Sequence, residues 1–516
     1  MTPGESAAGA TSRKTVWVRD FTASIVVFLV AMPLCMGIAV ASGVPAEKGL
    51  IAGIIGGIVV GALAGSPLQV TGPAAGLAVI VFELVRQYGL AALGPMMLIA
   101  GTLQFIAGVA RLGGWFRAIS PAVVHGMLAG IGVLIFIGQF HVLFGDSPKP
   151  SGVDNLLAIP ISLFRLFTES ESTAGAFAAG SITILAMLAW EKFRPAAMRL
   201  VPGALVGVIL GTLVAFFLQL DVTRVQVPES IFATITWPTL GDFTSLMSPG
   251  FFATAIAIAF IASAETLISA AAVDRMHDGV RTNYDKELRA QGIGNFLCGA
   301  VGALPMTGVI VRSSANIQAG AMTRMSAILH GVWILAFVLG LPWLLREIPM
   351  AALAGILVVT GWRLVSLEHV RHLYHHHGVM PAVIWGATLV MVVATDLLTG
   401  VLVGLALSLI ELAPHARNLK CQVDVDQKAE EVTLQVRGRA TFLTLPRLTK
   451  VLDSLPNGAR IRINCAELAL IDHTCAEVLT DWIQRKRKAG AQLELSLSDA
   501  AACGGSYRRL VQFASA

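Results

Sequence analysis

Charge is what this chain has least of. Only 13% of its 516 residues are Asp, Glu, Lys or Arg, against about 25% in soluble proteins. That shortage excludes an ordinary soluble domain. Cysteine is also sparse. The six (Cys35, Cys298, Cys421, Cys465, Cys475, Cys503) make no metal-ligand spacing, two in or near apolar runs and four in a charged tail. Reduced thiols are expected, with neither a disulfide framework nor a metal site. A Walker A loop, a nucleophile triad and a heme attachment motif are all missing, which argues against an ATP-driven pump and against an enzyme. No cofactor is implied.

What the chain does have is apolar length: 55% of its residues are hydrophobic. One membrane crossing needs about 20 apolar residues. About fourteen candidate runs lie between Asp20 and Pro414, some short or broken by Gly and Pro, as transporter helices often are. The net charge of +5 does not point to nucleic acid, because the basic residues sit at the ends of these runs. Arg13, Lys14 and Arg19 precede the first run. Arg111 and Arg117, then Lys192, Arg194 and Arg199, then Lys286 and Arg289 are expected in alternate loops. The intervening loops are acidic or mixed, so both termini are expected in the cytoplasm. Ala39-Val40-Ala41 resembles a signal-peptide cleavage site, but the apolar stretch is too long and many more follow, so it reads as the first span.

Glu265 stands alone in the apolar run Phe251–Ala272. A charge at bilayer depth costs at least about 2.5 kcal/mol, so such residues face a cavity and serve ions or substrates, or else stay protonated against a neighbouring helix. Ser269 follows one turn later on the same face. A carboxylate and a hydroxyl so placed suggest a cation or proton site.

Two broken segments echo one another. Pro67 to Gly72 opens one and Pro305 to Gly308 the other, and the Thr71-Gly72 and Thr307-Gly308 pairs lie 236 residues apart (307 less 71). Corresponding breaks in two halves point to a binding site in membrane transporters, though Thr-Gly and Pro also recur by chance in a Gly-rich membrane chain. Each break is predicted to start a helix near the bilayer midplane, where free N–H groups and the helix dipole favour an anion. The first candidate set is Thr71, Gly72, Pro73, Ala74 and Ala75; the second is Gly308, Val309, Ile310, Val311 and Arg312. Arg312 reads either as an anion-attracting residue or as an anchor snorkelling to the interface. Gly53, Gly56, Gly57 and Gly61 form a small-residue stripe expected to let helices approach closely.

These stretches resemble the SulP (sulfate permease) family, bacterial relatives of the animal multifunctional anion exchangers. The resemblance rests on Ala264–Ser269, Asn283–Asn295, Pro305–Gly308, Arg312–Gly320, Thr71-Gly72-Pro73 and Thr395–Gly400. It implies an all-α polytopic membrane domain of fourteen segments in two inverted seven-segment repeats, divided into core and gate. It also implies a homodimer with elevator-like movement. By position, Glu265 and Ser269 match the family's cation-coupling site, and Thr71 and residues 309–312 its anion-binding segments. The coupling ion would be H+ or Na+. This chain departs from the pattern in that Val309, Ile310 and Val311 offer no hydroxyl. Val27–Gly37 and Ser66–Gly76 look like a branch often found beside carbonic anhydrases, which implies bicarbonate, with sulfate or a dicarboxylate moved by proton symport as the alternative.

Beyond Arg417 the chain turns charged, and period-two runs at Val432, Leu434, Val436, then Ile461, Ile463, Cys465, then Leu493, Leu495, Leu497 alternate with helical stretches near Leu445–Leu455 and Thr474–Ala489. The tail resembles a STAS domain, a small α/β module with a possible cytoplasmic partner. The expected division is a cytoplasmic segment 1–19, a transport domain 20–415 and the tail domain 420–510, in a bacterial inner membrane. Thr474-Cys475-Ala476-Glu477 forms a capping box, in the loop where STAS regulators carry a phosphorylatable residue. His369, His372, His375, His376 and His377 cluster in one expected cytoplasmic loop but supply no closed ligand set. A different class also fits: a membrane sensor or scaffold that signals through its tail.

Overall fold

The computed structural model describes residues 13–497 except 117–119, 150, 169–170, 199, 227, 229–230, 240–247, 278, 367–369, 372–378, 413–420, 429–430, 442–443, 456–459, 466, 472 and 489–492. The described residues divide into two compact units, one within Met1–Gly113 and Ile131–Arg363 and the other within Gly114–Gly130 and Leu364–Ala516. The histidine cluster lies outside the described residues, as do the side chains of Thr474 and Glu477.

In the first unit, α1 (Arg13–Ala41) is followed by α2 (Ala46–Ile55), which runs through a π turn at Gly56–Val60 into Gly61–Leu63. A short strand β1 (Thr71–Pro73) leads into α3 (Ala75–Tyr88), then α4 (Leu93–Val109). Next come α5 (Pro121–Leu143), whose first part belongs to the second unit, and α6 (Gly152–Thr168), α7 (Glu171–Phe193) and α8 (Gly203–Phe217). The pattern then returns with α9 (Pro249–Met276), α10 (Tyr284–Ala300), β2 (Met306–Gly308), α11 (Ile310–Gln318), α12 (Met325–Gly340) and α13 (Met350–Leu364). Among the described residues, six helices are long and apolar enough to cross a membrane alone, and six more apolar helices have 10–17 residues. Charge and capping set the ends. Ser248 accepts the Phe251 N–H at 3.2 Å to start α9, with Pro249 at its first position. Asn283 accepts the Lys286 N–H at 2.9 Å to start α10. That cap puts Lys286 and Arg289 inside the first turns of a helix, not in a loop as the charge pattern suggested.

Helices α4 and α10 pack backbone against backbone. A methyl group on Gly101 would stand 2.3 Å from the Phe296 nitrogen, and one on Gly292 would stand 2.4 Å from that of Phe105. The α2 stripe is used likewise: a methyl on Gly57 would meet the Gly331 Cα of α12 at 2.7 Å. Gly56 does more than pack, since a methyl there would meet the Thr71 carbonyl oxygen at 2.7 Å. Small residues at these crossings replace hydrophobic drive with close contact.

The second unit contains the hairpin α14 (Val379–Ala394) and α15 (Leu397–Leu412), and an α/β part. The unit boundary at 363/364 precedes the change of composition near Arg417, so these two helices group with the tail. The α/β part has β3 (Cys421–Lys428), β4 (Glu431–Ala440), α16 (Leu445–Ser454), β5 (Arg460–Cys465), β6 (Leu468–Ile471), α17 (His473–Lys488) and β7 (Leu493–Leu497). The sheet order is β3-β4-β5-β7, with β6 also on β4; β3 is antiparallel to β4 and the other pairs are parallel. Val432, Leu434, Val436, Ile461, Ile463 and Cys465 are buried under Leu448, Leu452, Leu479 and Trp482 of the two helices. The alternation thus found β4, β5, β7 and both helices. It missed β3, although Cys421, Val423 and Val425 alternate there with Gln422, Asp424 and Asp426 in the same period of two, and β6, four residues long.

Gly101→Leu tests the α4–α10 contact. Overpacking costs about 1–3 kcal/mol in a tight core, and here the obstacle is backbone, so the variant should lose monodispersity and melt lower in a detergent thermal-stability assay than a substitution at the exposed Phe105.

Candidate functional site

Both broken segments meet. Strand β1 pairs antiparallel with β2, Thr71 opposite Gly308, Gly72 opposite Thr307 and Pro73 opposite Met306. The Val309 N–H extends the ladder to the Val70 carbonyl at 2.9 Å. The ladder satisfies backbone groups that no helix serves, as an apolar interior demands. From this crossing, α3 and α11 depart with N-caps Ala74 and Val309 in extended conformation, and neither cap has a side-chain hydrogen bond. The crossing corrects the echo by one residue. The half-helix N-caps Ala74 and Val309 lie 235 apart (309 less 74), the same offset as the central pair Gly72 and Thr307 (307 less 72).

Helix α9 lies against the crossing. The Thr266 hydroxyl accepts the Gly308 N–H at 3.2 Å, and the Thr266 carbonyl accepts Gln69 Nε2 at 3.0 Å. One residue earlier, Glu265 projects at the first turn of α3: a methyl group on Gly76 would come within 2.6 Å of Glu265 Oε2. That oxygen is buried and, among the described residues, has no hydrogen-bond partner. Ser269 is buried one turn further on.

Arg312 is among the largest fully buried side chains, at 0% exposed, so it is no interfacial anchor. Its Nη2 lies 3.5 Å from the Pro73 carbonyl oxygen, and a methyl on Gly72 would meet Nη1 at 2.2 Å. Its Nε and Nη1 are buried with no hydrogen-bond partner among the described residues. Of the sequence-derived set, Thr71, Gly72, Pro73, Gly308 and Arg312 gather at the crossing, and Glu265 joins them beside Gly76. Val311 is 54% exposed and stands apart.

Sequence reasoning assigned no role to the helix that holds the crossing. Glu287, Gln291 and Asn295 of α10 are all 0% exposed. Glu287 Oε2 accepts the N–H groups of Gly65 at 2.8 Å and Ser66 at 2.9 Å. Gln291 Nε2 donates to Thr71 Oγ1 at 2.8 Å. Asn295 Oδ1 accepts the Met306 N–H at 2.8 Å, and its Nδ2 donates to the Met306 carbonyl at 3.0 Å and to Gln104 Oε1 at 2.7 Å. On α11, Ser313 Oγ accepts the Val70 N–H at 2.9 Å, and Asn316 Nδ2 donates to the Leu68 carbonyl at 3.0 Å. The signal was present: Glu287, Gln291 and Asn295 recur every four residues, one polar stripe on a helix, within a stretch already singled out.

Chemically, two helix N-termini and a guanidinium with two nitrogens lacking hydrogen-bond partners among the described residues favour an anion, while the carboxylate oxygen without a partner favours a cation or proton.

Comparison with known proteins gives the family and the fold. The sulfate permease family matches residues 18–388. The putative sulfate transporter YvdB of Bacillus subtilis is 31% identical over 76% of this chain and 73% of its own length. The bicarbonate transporter BicA of Picosynechococcus is 25% identical over 78% of this chain and 71% of its own. Among solved structures, the transmembrane domain of a cyanobacterial BicA superposes with a TM-score of 0.66 at 24% identity, covering 74% of this chain and 97% of that one. The SLC26A9 structure gives 0.68 at 15% identity, covering 97% of this chain and 87% of that one. The two superpositions show the shared fold.

Gly76→Val should leave the protein assembled but push the Glu265 carboxylate off α3. Vesicle uptake of sulfate and of bicarbonate, the anions named for these relatives, is expected to drop about tenfold or more, since small displacements at a site cost of that order. Uptake at the unmodified rate would show that the contact is dispensable.

Proposed function

The chain belongs to the sulfate permease family, and from that membership we propose that it is a secondary active transporter of bicarbonate, driven by H+ or Na+ through Glu265. It is a multi-pass membrane anion transporter, as its relatives are, and not an enzyme. What carries the finer reading is one juxtaposition: the paired N-termini of α3 and α11, with Arg312 beside β1 and the Glu265 carboxylate at the first turn of α3, the half-helix that follows β1. An anion bound at the crossing gains the N–H groups, both dipoles and the guanidinium. A cation or proton on Glu265 offsets the repulsion that carboxylate exerts on the anion, so each makes the other's binding cheaper. Reciprocal binding of that kind is what symport requires.

The same reading assigns fourteen segments in two inverted seven-segment repeats, divided into core and gate, a homodimer, and elevator-type movement of the core past the gate. Residues 420–510 are the proposed cytoplasmic STAS domain, open to a cytoplasmic partner. Residues 20–415 are the proposed transport domain and 1–19 a cytoplasmic segment, with both termini inside a bacterial inner membrane. The five-stranded sheet with two covering helices supports a separately cored tail. A second substrate, sulfate carried by proton symport, is favoured by one observation: the 31% identical relative bears the name of a sulfate transporter.

Purified protein in liposomes is expected to accumulate bicarbonate under an imposed proton or sodium gradient, and the ion whose gradient drives uptake identifies the coupling. Glu265→Gln should abolish gradient-driven accumulation while anion exchange persists. Absence of any anion flux under every gradient refutes the transport reading.

Arg312→Ala should raise the KM for the anion without removing transport, because the backbone donors remain. Losing a charge-assisted bond costs about 1.5–3 kcal/mol, which corresponds to roughly 10- to 150-fold in KM. Initial uptake rates across a concentration series give the value.

A further inference from the structure

We propose that Gln291 is a positioning residue that sets the Thr71 hydroxyl as a hydrogen-bond donor to the transported anion. The inference rests on the anion-transport reading above and adds a residue to that site.

The argument is one of hydrogen-bond polarity along a buried chain. Two backbone donors, the N–H groups of Gly65 and Ser66, converge on Glu287 Oε2. The other oxygen, Oε1, accepts Gln291 Nε2 at 3.1 Å. An ionised Glu287 only accepts, and toward it the amide of Gln291 turns its NH2, since the flipped amide would set oxygen against oxygen; Gln291 Oε1 is then buried with no partner among the described residues. The same NH2 has a second hydrogen, and it reaches Thr71 Oγ1 at 2.8 Å. Thr71 is therefore an acceptor on that side. A hydroxyl whose lone pair is taken by a donor keeps its own proton for another acceptor. Among the described residues, that proton is given to no protein acceptor, although Thr71 is 3% exposed. Thr71 stands at the start of the crossing, opposite Gly308.

An anion supplies the missing acceptor. This also addresses the one place where the chain departs from its family. Val309, Ile310 and Val311 bring no hydroxyl, so the single donor side chain on β1 carries more of the recognition. Its polarity cannot be left to chance: with the amide absent, the Thr71 proton is free to turn toward a backbone carbonyl and leave a lone pair facing the anion. The opposite strand is held independently by the two bonds from Asn295 to Met306, so loss of Gln291 leaves the ladder tied to α10.

The test is a double-mutant cycle on the purified full chain in liposomes, with KM and Vmax measured for bicarbonate and for sulfate. Thr71→Val and Gln291→Leu should each raise the KM by about tenfold, the value of one hydrogen bond to a charged group, with Vmax retained. Thr71→Ser, which keeps the hydroxyl, should stay near the unmodified KM. The double variant should be no worse than Thr71→Val alone, because the amide acts only through the hydroxyl. Additive effects on KM overturn the proposal, as does a Gln291→Leu variant with an unmodified KM or one that loses only Vmax. If Gln291→Leu does not reach the membrane, Gln291→Asn takes its place, too short by one methylene to serve both partners, with the same expected rise and the same overturning result. A wild-type protein that moves no anion refutes the transport reading itself, whereas a transporting wild type with an additive cycle refutes only the role of Gln291.

Discussion

Everything at the centre of this protein depends on six residues of extended backbone. A helix can end inside a bilayer only if its unpaired groups find partners that are not lipid. The antiparallel pairing of Thr71–Pro73 with Met306–Gly308 supplies those partners for two chains at once. It also fixes where the following helices begin. Without the crossing, α3 and α11 would be fragments of 14 and 9 residues, too short to span a membrane. With it, their free N–H groups converge on one place.

The surrounding helices serve that crossing. Helix α10 holds both strands, Thr71 through Gln291 and Met306 through Asn295. It can do so because the neighbouring face of the helix approaches α4 at backbone distance, which Gly101 and Gly292 permit. Helix α9 covers the other side through Thr266 and Gln69. Buried amides dominate this shell, and each is oriented by a neighbour whose polarity is fixed. Such networks are stabilising only when fully satisfied. Among the described residues, Gln69 Oε1, Gln291 Oε1 and Asn316 Oδ1 in this shell lack partners, as do Glu265 and Arg312; the open valences on Glu265, Arg312 and the Thr71 hydroxyl are the ones beside the half-helix N-termini, where something other than protein is expected to complete the shell.

Much of this was legible in the residues. Apolar run length and the lone Glu265 gave the membrane class, and the Pro and Thr-Gly breaks found both crossing segments. The period-two runs found three of five tail strands. What stayed hidden had physical causes. A three-residue strand has no periodicity, so its pairing could not be read, and the echo of Thr-Gly was one residue out of register. The amide stripe on α10 was visible as Glu287, Gln291 and Asn295, but a polar stripe in a membrane helix does not say what it bonds. Gly76 gave no signal by itself; its meaning is the Glu265 carboxylate lying against it. Arg312 left two readings, and only its complete burial separates them.

The two crossing segments are alike in backbone and unlike in charge. The 235-residue offset sets Arg312 against Leu77, both fully buried (312 less 77). One half-helix thus carries a guanidinium at the position where the other carries an aliphatic chain. Near-symmetric backbones give two equivalent dipoles, and by themselves they would hold an anion midway between them. The single Arg312 and the single Glu265 break that balance. Both come from the second half of the chain, yet both lie against the first: Arg312 beside Gly72 and Pro73, Glu265 beside Gly76. The attraction and the repulsion thus act on the same end of α3, a few residues apart. Whatever neutralises Glu265 shifts the balance at that end toward anion binding, and loss of the neutralising ion shifts it back. A symmetric site would have no such lever. In the proposed symport, this asymmetry of charge is the feature through which a cation gradient would act on an anion.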